Sequence, residues 1–245
     1  SGSTGADTRS KGQHSVLSPS LARKVCARVG TIENLTQGSI DMHLHAGPDA
    51  RLERRVDALQ AAMQARELGM RAIVLKSHEY PTAPLARIVS KIVDHIDVFG
   101  SMTLDLEAGG LNPVAVEASA SLGAKVIWMP TLTAASEHRK RGLDGGVTIF
   151  DDKEHLLPVV GEILDIIKHY DIVLATGHVS VKEIFALVNE ARRRGLDKIV
   201  ITHPMSTHFG TNLDLEQQRE LADKGCYIEH CFVLTLPTTE RLDPK

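Results

Sequence analysis

Two hydrophobic periods take turns along this chain, and each switch between them marks a new element. In "SIDMHLHAGPDA", residues 39–50, the positions alternate: Ile40, Met42 and Leu44 share one face, Asp41, His43 and His45 the other. The stretch "RRVDALQAAMQARELG" then carries Val56, Leu59, Ala62 and Met63 at helical spacing and stops at Gly69. "MRAIVLKSH" predicts a second strand, "TAPLARIVSKIVDH" a second helix and "IDVFGSMTL" a third strand. "NPVAVEASASLG" predicts a helix capped by Asn112, with Pro113 in its first turn and Gly123 at its end; "AKVIWMP" is the fourth strand.

A long polar segment follows, "LTAASEHRKRGLDGGVTIFDDKE", expected as a loop of lid or binding type. The pattern resumes with the helix "EHLLPVVGEILDIIKHY", in which Pro158 must sit in the first turn or bend the axis. "DIVLATGH" is the fifth strand, and "SVKEIFALVNEARRRG" a helix opened by the capping pair Ser180 and Glu183. "LDKIVITHP", "LDLEQQRELADKG" and "CYIEHCFV" add a sixth strand, a helix and a seventh strand. Strands too apolar for a wet face, each followed by a helix, predict an α/β fold with a parallel sheet under helices. No Gly-rich phosphate turn follows the first strand, so a TIM-type (β/α) barrel is expected rather than an open doubly wound sheet. After the seventh strand only twelve residues, 234–245, remain, so this barrel would stop short of its eighth strand. Residues 1–19 read as a disordered leader and 20–245 as the barrel domain, opening with a short helix from Ser20.

Composition narrows the class. The chain has 245 residues, 42% hydrophobic and 24% charged, with a formal net charge of −3, which suits a globular domain and argues against nucleic acid or an anionic membrane as partner. No apolar run is long enough to span a membrane and no signal-peptide core opens the chain, so a cytoplasmic location is expected. Three cysteines, Cys26, Cys226 and Cys231, show no zinc-ribbon spacing and are expected to be reduced. Twelve histidines against one Trp, three Tyr and five Phe direct attention to imidazole chemistry.

The histidines fall at strand ends. His43 and His45 close the first strand, His78 the second, His178 the fifth and His203 the sixth. In a parallel barrel all strand C-termini share one rim, so these residues converge on one cup. Neutral imidazoles bind zinc and similar ions, and such an ion lowers the pKa of its water to about 7, giving a nucleophilic hydroxide at neutral pH.

The ordered set "DMHLHA", "ATGHVS" and "VITHP" resembles the amidohydrolase superfamily of metal-dependent barrels over about residues 39–233. "GMRAIVLKSH", "GGLNP" and "VIWMPT" look like a poorly characterised branch of it. The resemblance implies His43, His45, His178 and His203 as ligands of one or two divalent ions, zinc first, with manganese or iron as alternatives. Two features depart from that pattern. The fourth strand ends "WMPT" without a bridging lysine or glutamate, Lys125 lying at its wrong end, so Lys76 and His78 of the second strand are the substitutes. The eighth-strand aspartate has no counterpart, and of the alternating pair Glu229 and His230, Glu229 is expected to face the cup as acid/base or ligand. Arg54, after the first strand, and Arg139, in the polar segment, are candidate contacts for an anionic group of a small substrate.

The leading expectation is hydrolysis of a small amide, lactam, lactone or related cyclic substrate. Phosphoester hydrolysis and metal-assisted non-oxidative decarboxylation are the enzymatic alternatives. The alternative outside catalysis is a metal-binding scaffold, or a subunit whose site is completed by a second copy or a C-terminal fragment.

Overall fold

A computed structural model describes residues 35–236; the expected leader and the helix from Ser20 lie outside the described residues. The described residues hold seven strands: β1 (Ile40–His45), β2 (Ala72–Lys76), β3 (Asp97–Thr103), β4 (Ala124–Trp128), β5 (Val173–Ala175), β6 (Ile199–Ile201) and β7 (Tyr227–Ile228). They form one sheet in chain order, every neighbouring pair parallel. Helices α1 (Ala58–Glu67), α2 (Ala83–Val89), α3 (Pro113–Ser121), α4 (Ala135–Lys140), α5 (Pro158–His169), α6 (Val181–Arg193) and α7 (Leu215–Asp223) lie between the strands. This is an α/β fold whose sheet curls into a partial (β/α) barrel, with β1 and β7 as its edges. An eighth strand does not occur among the described residues, nor does a described helix have the length and apolarity to cross a membrane.

Strand alternation sorts the core into two layers. Ile73 and Leu75 of β2 pack outward against α1 and α2, while Ile127, Leu174, Ile199 and Ile201 join the larger layer beneath α3, α5 and α6. The inward positions Val74, Val126, Trp128 and Ala175, with Phe99, Val173 and Val200 partly buried against them, fill the barrel interior. The plug is small, and Trp128 is its upper surface.

The local signals of the sequence are met at the helix starts. Asn112 accepts from the Ala115 amide, Pro158 opens α5, and Ser180 and Glu183 form a complete capping box. Three expectations change. In α1 the buried face is Ala58, Ala61, Ala62 and Ala65, while Met63 is exposed: alanines let the helix sit close on β2, so the small residues face inward. The helix expected through His95 ends at Val89. The polar segment is not a bare loop but contains α4, whose Ala135 amide donates to the Val147 carbonyl and whose Glu137 is fully buried.

The first turn of α2 is fastened directly to β3. Thr82 Oγ1 donates to the Leu75 carbonyl and accepts from the Ser101 amide, and the Thr82 amide donates to the Ser101 carbonyl. A Cβ on Gly100 would stand 2.3 Å from Ala83 Cα and 2.4 Å from its nitrogen, both backbone atoms. Gly100→Ala is therefore expected to lower unfolding free energy by about 2–3 kcal/mol through overpacking, read from the urea midpoint. An unchanged midpoint would mean that α2 does not approach β3 this closely.

Candidate functional site

The C-terminal ends of β1 and β2, with His178 and His203 from the loops after β5 and β6, line a cavity of about 940 Å³. In the β1–β2 register His45 lies opposite Lys76. Lys76, 2% exposed, places Nζ 4.0 Å from the centre of the Trp128 ring and donates to His43 Nε2 at 2.9 Å. With Nε2 accepting, the His43 proton belongs on Nδ1, which faces both Glu229 oxygens at 3.1 Å. Burial lowers the Lys76 pKa to about 8 against the upward pull of Glu229 and Asp105. Burial, and then the Lys76 charge, hold His43 well below the ordinary imidazole value, and the same two causes lower His45. Both rings are neutral at pH 7.

Across the cup stand His178 and His203, both buried, with their Nε2 atoms 3.1 Å apart. Two neutral imidazoles share only one proton across such a contact. Two imidazole nitrogens bound to one ion at about 2.0–2.1 Å also stand about 3.1–3.4 Å apart, for angles at the ion of roughly 100–110°. Burial, then His203 and Lys76, push the His178 pKa well down. Its Nδ1 and His45 Nδ1 are buried without a hydrogen-bond partner, the kind of lone-pair site that a cation satisfies. Glu137 lies behind His178, Oε1 at 3.8 Å from Nδ1, and is itself held by the Gly210 amide and by Lys140. Gly210 covers the pair so closely that a Cβ there would meet His203 Cε1 at 2.8 Å.

His78, two residues beyond β2, is held from outside the cup. Its Nδ1 is 2.7 Å from Thr131 Oγ1 and 3.3 Å from Asp105 Oδ2, and the Thr131 hydroxyl in turn donates to Asp105. Nδ1 thus carries the proton, which leaves the Nε2 lone pair free to act on the cavity that His78 lines. Burial lowers the His78 pKa, with the Asp105 hydrogen bond opposing.

At the β7 end Glu229 turns to His43, and the alternation leaves His230 exposed at the mouth. Cys231 Sγ lies 3.8 Å from His43 Nδ1, and burial, reinforced by Glu229, pushes its thiol up to about 12. His43, Glu229 and Cys231 offer ligand atoms all within 4.8 Å of one another. Arg54 lines the cavity but is paired with Asp49; Arg51 beside it pairs with Glu79 and Glu107. Arg139 corrects the sequence reading: it is exposed on α4 and does not line the cavity, because the helix turns Glu137, not Arg139, inward.

Asp105, Thr131, Glu137, Trp128 and Cys231 were not singled out from the sequence. Asp105, two residues after β3, obeys the same strand-end rule as the histidines and could have been found by it. Glu137 could not, since its position depends on a helix inside a segment read as a loop.

The chain belongs to a family of unknown function (DUF6282), whose model matches residues 38–229. No curated protein matches it. Solved structures that match include deoxyribose phosphate aldolase from Aeropyrum pernix, 18% identical with a TM-score of 0.37, covering 73% of this chain and 68% of that one. A 2,3-dimethylmalate lyase of the PEP mutase/isocitrate lyase superfamily matches at 13% identity and TM-score 0.43, over 79% and 66%. Inosine 5' monophosphate dehydrogenase from Legionella pneumophila matches at 17% and 0.38, over 71% and 48%. The chain thus spans about half to two thirds of the length of these enzymes.

Asp105 sets a pH dependence. Burial alone would raise its pKa, but hydrogen bonds from His78, Thr131 and Thr133 outweigh it, and the folded value lies below the ordinary carboxylate range. A depressed folded pKa gives stability that is present above the unfolded value of about 3.9 and is lost as pH falls through the folded value. Asp105→Asn is expected to cost about 2–4 kcal/mol at pH 7. In urea titrations from pH 7 to pH 3 the gap between wild type and variant should narrow below about pH 5. Parallel curves would exclude Asp105 as the source.

Proposed function

We propose that the chain is a metal-dependent hydrolase of amidohydrolase type, acting on a small amide, lactam, lactone or related cyclic substrate. The observation that carries this reading is the 3.1 Å approach of His178 Nε2 to His203 Nε2 on the wall of the cavity. His178 and His203 would hold a divalent ion, zinc or alternatively manganese or iron, with His43 and His45 on the facing strand completing a one- or two-ion set. When bound, the ion supplies Lewis acidity, polarising a carbonyl and acidifying a water.

The chain's own groups supply the rest. His78, oriented by Thr131 and Asp105, presents Nε2 as the atom that takes a proton from the attacking water and returns it to the leaving group. Lys76, with a pKa of about 8, is the cation that an anionic substrate group meets, because Arg51 and Arg54 are already neutralised by carboxylates. Glu229, on the cavity wall, accepts from His43 Nδ1 and keeps the ring's orientation. Trp128 supports the Lys76 ammonium from the barrel interior.

Metal content of the purified chain, measured beside a His178→Ala/His203→Ala variant, tests the reading together with a panel of amides, lactams, lactones, phosphoesters and carboxylic acids. About one or two equivalents are expected in wild type, with one equivalent lost in the variant. Hydrolysis of a member of the first three classes should fall by more than the ~10–100-fold typical of removing an outer partner. A chain that stays metal-free after reconstitution overturns the proposal. Turnover of phosphoesters or carboxylic acids alone would replace it with the phosphoesterase or the decarboxylase.

A further inference from the structure

The junction of β1 and β7 carries three side chains whose proximity the histidine pair does not use. Glu229 follows β7 directly; its amide donates to the Ile201 carbonyl, and Oε2 accepts from the His203 amide at 3.3 Å. Two residues on, Cys231 precedes a short 3-10 turn, Phe232–Thr235, whose Leu234 is buried. The turn therefore fixes where the thiol points. Sγ is 3.8 Å from His43 Nδ1, Nδ1 is 3.1 Å from the Glu229 oxygens, and all three residues line the main cavity.

These separations match the edges of a small coordination polyhedron. With bonds of about 2.3 Å to sulfur and about 2.0–2.2 Å to nitrogen or oxygen, sulfur and nitrogen stand about 3.6–3.8 Å apart and nitrogen and oxygen about 3.1–3.4 Å apart. A thiolate among the donors also selects the ion, since soft sulfur favours zinc or cobalt over manganese or magnesium. The ordinary alternative is a thiol hydrogen-bonded to Glu229 beside a histidine, with no ion at all.

We propose that His43 Nδ1, a Glu229 oxygen and the Cys231 thiolate form a second, thiolate-bearing metal subsite beside the His178–His203 pair, one that takes a thiophilic divalent ion. The protons balance. Cys231 and His43 Nδ1 each release one to solvent, while His43 Nε2 receives the proton that Lys76 now donates in its hydrogen bond. The neutral Lys76, the thiolate, the carboxylate and the dication then sum to zero, as the charged Lys76 and Glu229 do without the ion, so Lys76 acts as a substrate cation only while this subsite is empty. The subsite shares a cavity with the proposed hydrolytic centre but needs neither His178 nor His203.

Titration of the full chain with cobalt(II) tests it, reading bound cobalt per chain and the sulfur-to-cobalt charge-transfer absorption in the near ultraviolet. Wild type should bind two equivalents and show the band. Cys231→Ser, with an unchanged far-ultraviolet circular dichroism spectrum, should lose the band and one equivalent, whereas Cys226→Ser should lose neither. The His178→Ala/His203→Ala variant should keep the band while losing the other equivalent. Cobalt bound by wild type without the band, or a band that survives Cys231→Ser, overturns the subsite and leaves the hydrolytic reading standing. A band with only one equivalent, insensitive to the double histidine variant, supports the subsite and overturns that reading. Wild type that binds no cobalt overturns both.

Discussion

The cup depends on one constraint: a buried ammonium surrounded by imidazoles. Lys76 rests on the face of Trp128 and donates to His43, with its pKa lowered to about 8 by burial. Burial first, and then repulsion from this ammonium and between the rings, hold His43, His45 and His178 well below the ordinary imidazole value and so in the neutral form at neutral pH. An array of neutral imidazoles at the mouth of a barrel is both a ligand set and a set of proton acceptors. While Glu229 meets His43 on the cavity wall, two carboxylates stand one step further out: Asp105 behind His78 and Glu137 behind His178. They orient the rings without filling the cup with negative charge.

The fold serves this arrangement by dividing labour between the two faces of its strands. Outward aliphatic positions bury against helices and carry most of the apolar core, which frees the inner face at the strand ends for polar side chains. The strand sections are short where the site is deepest: three residues in β5 and β6 and two in β7. His178 and His203 therefore sit on the loops beyond those strands. Such loops need outside support, which Glu137, the Gly210 amide and the Ser136 hydroxyl on the His178 carbonyl provide.

Much of this is local information. The alternation in "DMHLHA" and "AIVLK" sets which side chains share a face, and the capping residues Asn112, Ser180 and Asp214 mark helix starts through hydrogen bonds only a turn long. The gathering of His43, His45, His78, His178 and His203 followed from one topological rule about strand ends. Period-two alternation at β7 allowed only one of Glu229 and His230 to face the cup, and the contact with His43 belongs to Glu229. Arg139 went the other way, because helix α4 arises where composition reads as a loop, and its register turns Glu137 rather than Arg139 inward.

By itself, then, the sequence determined the order and type of the elements, the faces of the strands and the list of histidines that meet at one rim, because periodicity and capping act over a few residues. Tertiary structure alone decided which nitrogen of each ring faces a partner. It placed Lys76 between Trp128 and His43, set Asp105 and Glu137 behind their histidines, and brought Cys231 to His43 across 188 positions of chain. Those outcomes depend on distances of a few ångströms between distant segments, which are set by the curl of the sheet and the packing of helices upon it, and no local pattern encodes them.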